Sequence, residues 1–178
     1  MIGPFKKFYE SEFFKETDQA IRIWMQSWGY HLLRISLGIV FFWFGLLKFF
    51  PDASPAYELA VNTISTITFG ALSDSLIINL LAAWEVLIGI GLITGRFMRF
   101  TLLLLFLQMP GTFLPAVLFP EVVFKSIPFV PTLEGQYIFK NLILISAGIV
   151  LGGALHKVNP YYKKSKPQIK GGDDDLKE

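Results

Sequence analysis

Of 178 residues, 53% are hydrophobic and only 17% are charged, with a mean hydropathy of +0.51. A soluble domain of this length carries roughly a quarter charged residues, and here the apolar residues stand in long blocks, so the expected solvent is lipid. The absence of cysteine excludes disulfide staples, thiolate metal sites and a CxxC redox centre coupled to quinone, and with a formal net charge of +2 no nucleic-acid partner is expected.

Residues 17–28, TDQAIRIWMQSW, begin with candidate N-caps at Thr17 and Asp18 and place Ile21, Trp24, Met25 and Trp28 on one helical face. This predicts a short amphipathic helix lying in the cytoplasmic interface before the chain turns inward, within an interfacial segment 1–30. A secretory signal is not expected, because the first long apolar block begins only at residue 31 and no small-residue cleavage site follows it.

A hydrocarbon core of about 30 Å needs roughly 20 helical residues to cross. Four blocks meet that length: 31–50, about 76–94, about 97–119 and about 136–155, making a transmembrane domain over 31–155. Between the first two, Pro51 and Pro55 break the helix, and Tyr57, Val61, Ile64 and Ile67 then recur at helical spacing, predicting a surface helix over the outer face. The connection 120–135 has three prolines and many apolar residues, so it is expected to pack down on the bundle. Residues 156–178 form a basic tail ending in GGDDDLKE, expected to be a disordered cytoplasmic segment.

The basic residues orient these spans. Lys6, Lys7, Lys15 and Arg22 precede the first, Arg96 and Arg99 lie between the second and third, and Lys157, Lys163, Lys164, Lys166, Lys170 and Lys177 follow the fourth. The other two connections hold only Lys125 between them. Both termini are therefore expected to be cytoplasmic. The predicted fold is an all-α integral membrane four-helix bundle.

Four ionisable groups fall inside or at the ends of the spans: Arg34, Lys48, Glu85 and Lys140. Arg34 is near the cytoplasmic end and can snorkel to lipid phosphates. Glu85 is nine residues from the outer start of its span, roughly 13 Å, and Lys140 is four residues inside its own, roughly 6 Å. Lys48 is near the outer end of the first span. A charge at mid-bilayer costs about 2.5 to 3.5 kcal/mol on insertion scales, which favours pairing. Glu85 is thus expected to pair with Lys140 or Lys48.

Helical phase points the same way. Arg34, Gly38, Phe41, Gly45 and Lys48 form one stripe, and Ala82, Glu85, Gly89 and Leu92 form another. Small residues allow close approach of helices in membranes, so these stripes should face protein. On the fourth span Lys140 aligns with Ile143 and Ala147, while Asn141, Gly148 and Gly152 mark a neighbouring stripe. In the third span Gln108 precedes MPGTFLP, where Pro110 and Pro115 should kink the helix and open space near Glu85. Alternatively Thr112 satisfies the freed backbone locally. His31 and His156 lie at cytoplasmic ends with no third ligand, so they read as interfacial residues rather than haem or metal ligands. There is no haem, flavin, nucleotide or metal motif.

The stretches RISLGIVFFWFGLLKFF, WEVLIGIGLITGR and LEGQYIFKNLILISAG resemble the DoxX-like family of four-helix bacterial membrane proteins over about residues 31–155. The resemblance rests on the ordered set Arg34, Gly38, Gly45, Lys48, Glu85, Gly89, Arg96 and Asn141, and on LLLFLQMPGT and LEGQY. It implies a multi-pass protein of the bacterial inner (plasma) membrane and a link to redox work. Members include the membrane subunit of a thiosulfate:quinone oxidoreductase, and others are linked to oxidant resistance. The thiosulfate-oxidising branch works with a second subunit region, and no such region is expected here.

The leading expectation is therefore a quinone-linked or redox-associated membrane subunit with a polar site in the outer half of the bilayer. Glu85, Lys48 and Lys140 are its candidate catalytic residues, and Gln108, Asn141, Glu134 and Arg34 its candidate ligand-binding residues. A quinone or small anion is the expected ligand. With no evident electron carrier of its own, the redox reading requires a partner subunit or a bound quinone, and a redox partner subunit or a homo-oligomer is the expected assembly. A non-enzymatic binding or assembly protein braced by an ion pair, and a small proton-coupled transporter, are the alternatives.

Overall fold

The computed structural model describes residues 12–50, 54 and 57–158. The expected tail beyond residue 158, the side chain of His156 and the basic residues Lys6 and Lys7 lie outside the described residues. In chain order the elements are α1 (Glu12–Leu47), α2 (Tyr57–Ile67), α3 (Asp74–Thr94), α4 (Met98–Leu118), α5 (Pro120–Val123), β1 (Phe124–Ser126), β2 (Val130–Pro131) and α6 (Leu133–Val158). Four of these, α1, α3, α4 and α6, are long and apolar enough to cross a membrane.

The four long helices pack in a ring, α1 on α3, α3 on α4, α4 on α6 and α6 back on α1. Their shared core holds Leu37 and Phe41 of α1, Ile88 and Leu92 of α3, Leu102 and Leu105 of α4, and Ala147 and Leu151 of α6. Large apolar side chains such as Trp43, Leu87 and Ile149 point outward. In lipid that exposure carries no hydrophobic penalty, so helix association rests on close packing instead.

Glycine supplies that packing between α1 and α3. A Cβ on Gly89 would lie 2.5 Å from the Phe42 backbone nitrogen, and one on Gly38 would lie 2.9 Å from the Ile93 nitrogen. One on Gly45 would meet Glu85 Cβ and the Val86 nitrogen, both at 2.9 Å. These are the stripes expected from the sequence. They also set the register: Gly38 opposes Ile93 and Gly45 opposes Glu85, so the two helices run antiparallel.

The expected turn between an interfacial helix and the first span is absent. Residues 12–47 form one helix of 36 residues, about 54 Å long. The segment contains no proline, and Gly29 alone costs about 1 kcal/mol relative to Ala, too little to stop a helix already propagating. Ile21, Trp24, Met25 and Trp28 are all exposed on this continuation of the helix.

Beyond the end of α1, α3 runs on to Asp74 and α2 takes the vacated flank. Val61 of α2 packs on Ile77 and Ile78 of α3, with Tyr57, Ile64 and Leu72 around them. Ile67, expected in the same stripe, is exposed. At the opposite end Gly95 closes α3 in the left-handed conformation, φ 70, its N–H bonded to Gly91 O.

Helix α4 continues through Pro110 and Pro115. Each proline removes the donor for the carbonyl four residues earlier, and Thr112 Oγ1 donates to Met109 O at 2.7 Å in the same stretch. That carbonyl is not one of the two the prolines free, those of Phe106 and Gly111, so Thr112 does not close the gap they leave. The following connection is not simply packed down: β1 and β2 make a two-stranded antiparallel hairpin pairing Phe124 with Pro131 and Ser126 with Val130. Its base is anchored, with Val123 buried and Phe124 edge-on to Phe139 at 5.9 Å, but its tip projects, Phe129 being 86% exposed. Thr132 then caps α6, its Oγ1 accepting from Gly135 N at 3.1 Å and donating to Val122 O at 2.7 Å.

Candidate functional site

Glu85 stands near the midpoint of α3, about 16 Å along the axis from Asp74 and about 14 Å from Thr94. Its helix starts two residues earlier than expected, which puts the carboxylate two residues farther from the outer end of the span. Lys48 leaves the chain one residue past α1, where its backbone N–H still bonds Gly45 O at 3.2 Å. Gly45 lets the two backbones approach, so the lysine reaches Glu85 across the α1–α3 interface. Lys48 Nζ donates to Glu85 Oε2 at 2.5 Å, with the two side chains 9% and 11% exposed.

The other carboxylate oxygen is also held. Gln108 Nε2 of α4 donates to Glu85 Oε1 at 2.8 Å. The amide's own oxygen, Gln108 Oε1, is buried and has no hydrogen-bond partner. The structure thus brings Glu85, Lys48 and Gln108 together from three parts of the bundle. A buried orphan acceptor costs about 1 to 3 kcal/mol unless something donates to it. The cluster can therefore receive a hydrogen bond at Gln108 Oε1 and can offer the remaining Lys48 N–H groups to an acceptor.

Sequence reasoning did not single out Trp84. Its Nε1 donates to Leu104 O at 3.1 Å, linking α3 to α4 one turn before Gln108. The signal was present: a tryptophan beside an intramembrane carboxylate has an N–H that needs an acceptor in lipid.

The remaining candidates lie elsewhere. Lys140 does not reach Glu85. It is exposed on α6 with its ammonium 4.8 Å from the centroid of the Tyr137 ring. Of the stripe expected to carry Lys140 only Ala147 is buried, Ile143 being 68% exposed; the bundle is faced by Ile138, Ala147, Gly148 and Leu151, with Asn141 and Gly152 half-buried beside them. A Cβ on Gly148 would meet Phe106 and Leu105 side chains at 3.2 to 3.3 Å, so close packing at that glycine sets the rotation of α6 and turns Lys140 outward. Asn141 is half-buried on α6, and Glu134 is exposed in its first turn.

Arg34 serves the opposite end of the bundle. Its Nη1 donates to Leu92 O and, at 3.0 Å, to Ile93 O. It closes carbonyls that the last turn of α3 leaves open, so one nitrogen of its guanidinium is engaged with protein. His31 is exposed and stands edge-on to Trp28 and Tyr30. Among the described residues, no three His, Asp or Glu side chains are grouped closely enough to hold a metal ion.

A model of the DoxX family matches residues 29–119, slightly more than half of the chain. The chain belongs to the DoxX family. The matched region contains Arg34, Lys48, Glu85 and Gln108, so the whole buried cluster falls within it. It stops before the hairpin and α6, whereas the resemblance read from the sequence extended to residue 155. Lys140, Asn141 and Glu134 stand outside it. Searches of curated proteins and of solved structures find no match.

Proposed function

We propose that this DoxX-family protein is a quinone-linked membrane subunit of a redox system, in a bacterial inner membrane with both termini cytoplasmic. Its site is the Lys48–Glu85–Gln108 cluster, entered from the outer half of the bilayer where Lys48 stands. The observation that carries this reading is the incomplete hydrogen bonding of a buried triad. Gln108 Oε1 lacks a donor directly beside a closed ion pair, and a head group bearing a hydroxyl would supply one.

A quinone would contribute a two-electron, two-proton couple, with electrons exchanged through a partner subunit's redox centre. The residues then have separate tasks. Lys48 presents an N–H to a carbonyl oxygen, and its charge favours an anionic form of the ligand. Gln108 fixes Glu85 through Nε2 and receives a hydroxyl proton's hydrogen bond at Oε1. Glu85 can hold and release a proton at Oε1 or Oε2, as general acid–base groups do. Arg34 is a bundle staple in this reading and Lys140 has no part in the chemistry.

The test is to purify wild type and Glu85→Gln with native lipids and identify retained small molecules by mass spectrometry. A quinone held by wild type and lost from a folded Glu85→Gln protein is the expected result. A second reading, an ion-pair brace without ligand, draws on Gly45 pressing its backbone against Glu85 Cβ. Wild type that never holds a quinone, with Glu85→Gln merely less stable, would replace the first reading with the second.

A further inference from the structure

The charge that the buried cluster leaves unused lies on the other side of the bundle. Lys140 has no carboxylate partner among the described residues, and only the Tyr137 ring stands close to its ammonium. It is surrounded on α6 by exposed apolar side chains, Leu133, Tyr137 and Ile143, the surface that faces lipid. Lys140 is seven residues into α6, about 10 Å from its start. Helical side chains lean toward the N-terminus, and the ammonium over Tyr137 lies in that direction, toward the membrane surface on the hairpin side.

Next to it is a groove of about 480 Å³ between the hairpin and α6. Phe129, Pro131, Phe139 and Ile143 form apolar walls, and Lys140 and Gln136 add polar groups one helical turn apart on the same face. The hairpin tip beside it exposes Ile127 and Phe129, side chains suited to the bilayer interface rather than to water.

We propose that this groove binds an anionic phospholipid, its phosphate on Lys140 and Gln136 and its acyl chain along Phe139 and Ile143. An ammonium facing lipid without a counter-charge is costly, and a phosphate drawn to it supplies a charge-assisted hydrogen bond. The Gln136 amide can donate to a second phosphate oxygen. A free phosphate would gain nothing from the apolar walls, and a quinone would leave the lysine without its anion. The proposal is independent of the redox site, because none of its residues touches Glu85.

Wild type, Lys140→Gln, Lys140→Arg and Lys125→Gln are reconstituted in nanodiscs of equal phosphatidylglycerol and phosphatidylcholine. They are then released into detergent, and the phospholipid each retains is weighed by native mass spectrometry. Wild type, Lys140→Arg and Lys125→Gln should keep phosphatidylglycerol preferentially, and Lys140→Gln should lower that preference about five-fold, the effect of one lysine at an anionic surface. Unchanged thermal melting of Lys140→Gln separates lost binding from lost folding, and Lys140→Arg carries the test if that variant does not fold: it must keep the preference. An equal preference in folded Lys140→Gln, or none in wild type, overturns the proposal. So does displacement of the lipid by inorganic phosphate alone, which would mark a free-anion site, or retention of a quinone in its place.

Discussion

Neutralising Lys48 alone should damage the protein more than removing both members of its pair would lead one to expect. Lys48→Met keeps most of the side-chain volume but leaves Glu85 Oε2 without a donor, where the two side chains are only 9% and 11% exposed. Breaking a buried pair by removing one partner costs about 3 to 5 kcal/mol. Gln108 still holds Oε1 at 2.8 Å, which places Lys48→Met at the low end, about 3 kcal/mol. Glu85→Gln keeps an acceptor for the ammonium but strands its charge, for about 2 kcal/mol. The double variant carries no buried charge, so it should lose about 2 kcal/mol in total rather than about 5, a coupling of about 3 kcal/mol. Unfolding by SDS in mixed micelles, followed by tryptophan fluorescence, measures all four proteins. Losses that add within about 0.5 kcal/mol would refute the pairing. The same cycle run with Lys140→Met in place of Lys48→Met should be additive, because Lys140 stands on the outer face of α6.

Two further outcomes follow from the packing and the charge pattern. Gly89→Ala should destabilise by about 1 to 3 kcal/mol in the same SDS assay, because its Cβ would meet the Phe42 backbone, whereas Gly111→Ala, with nothing within 4 Å, should be neutral or gain up to about 1 kcal/mol. Because the chain has no cysteine, single substitutions report sidedness cleanly: Ser126→Cys on the hairpin should react with an impermeant maleimide on intact cells, and Ser27→Cys only after permeabilisation, while the reverse pattern would overturn the orientation read from the basic residues.

The parts of the fold that were readable in the sequence are those where side-chain chemistry changes along a helix. On α1 and α3, glycine and a charged residue interrupt the apolar run at one helical phase, and that phase is the buried one: Gly38, Phe41, Gly45 and Lys48 against Ala82, Glu85, Gly89 and Leu92. On α6 the apolar residues run all round, so two adjacent stripes competed, and Lys140 and Ile143 face outward while Ala147 of the same stripe is buried. The break expected near residue 30 was inferred from a change of composition alone. Without proline or a capping pair, such a change does not end a helix.

By itself, the sequence determined the number of spans, the inward faces of α1 and α3, and that Glu85 would take a lysine partner. Those follow from local physics: the length needed to cross lipid, the small residues that permit close approach, and the cost of an unpaired charge. Only the tertiary structure decided which lysine that is, and that Gln108 holds the second carboxylate oxygen with its own oxygen left open. Both outcomes depend on how α3 is rotated against α1 and α4, a property of helices packed together that no single stretch of the chain contains.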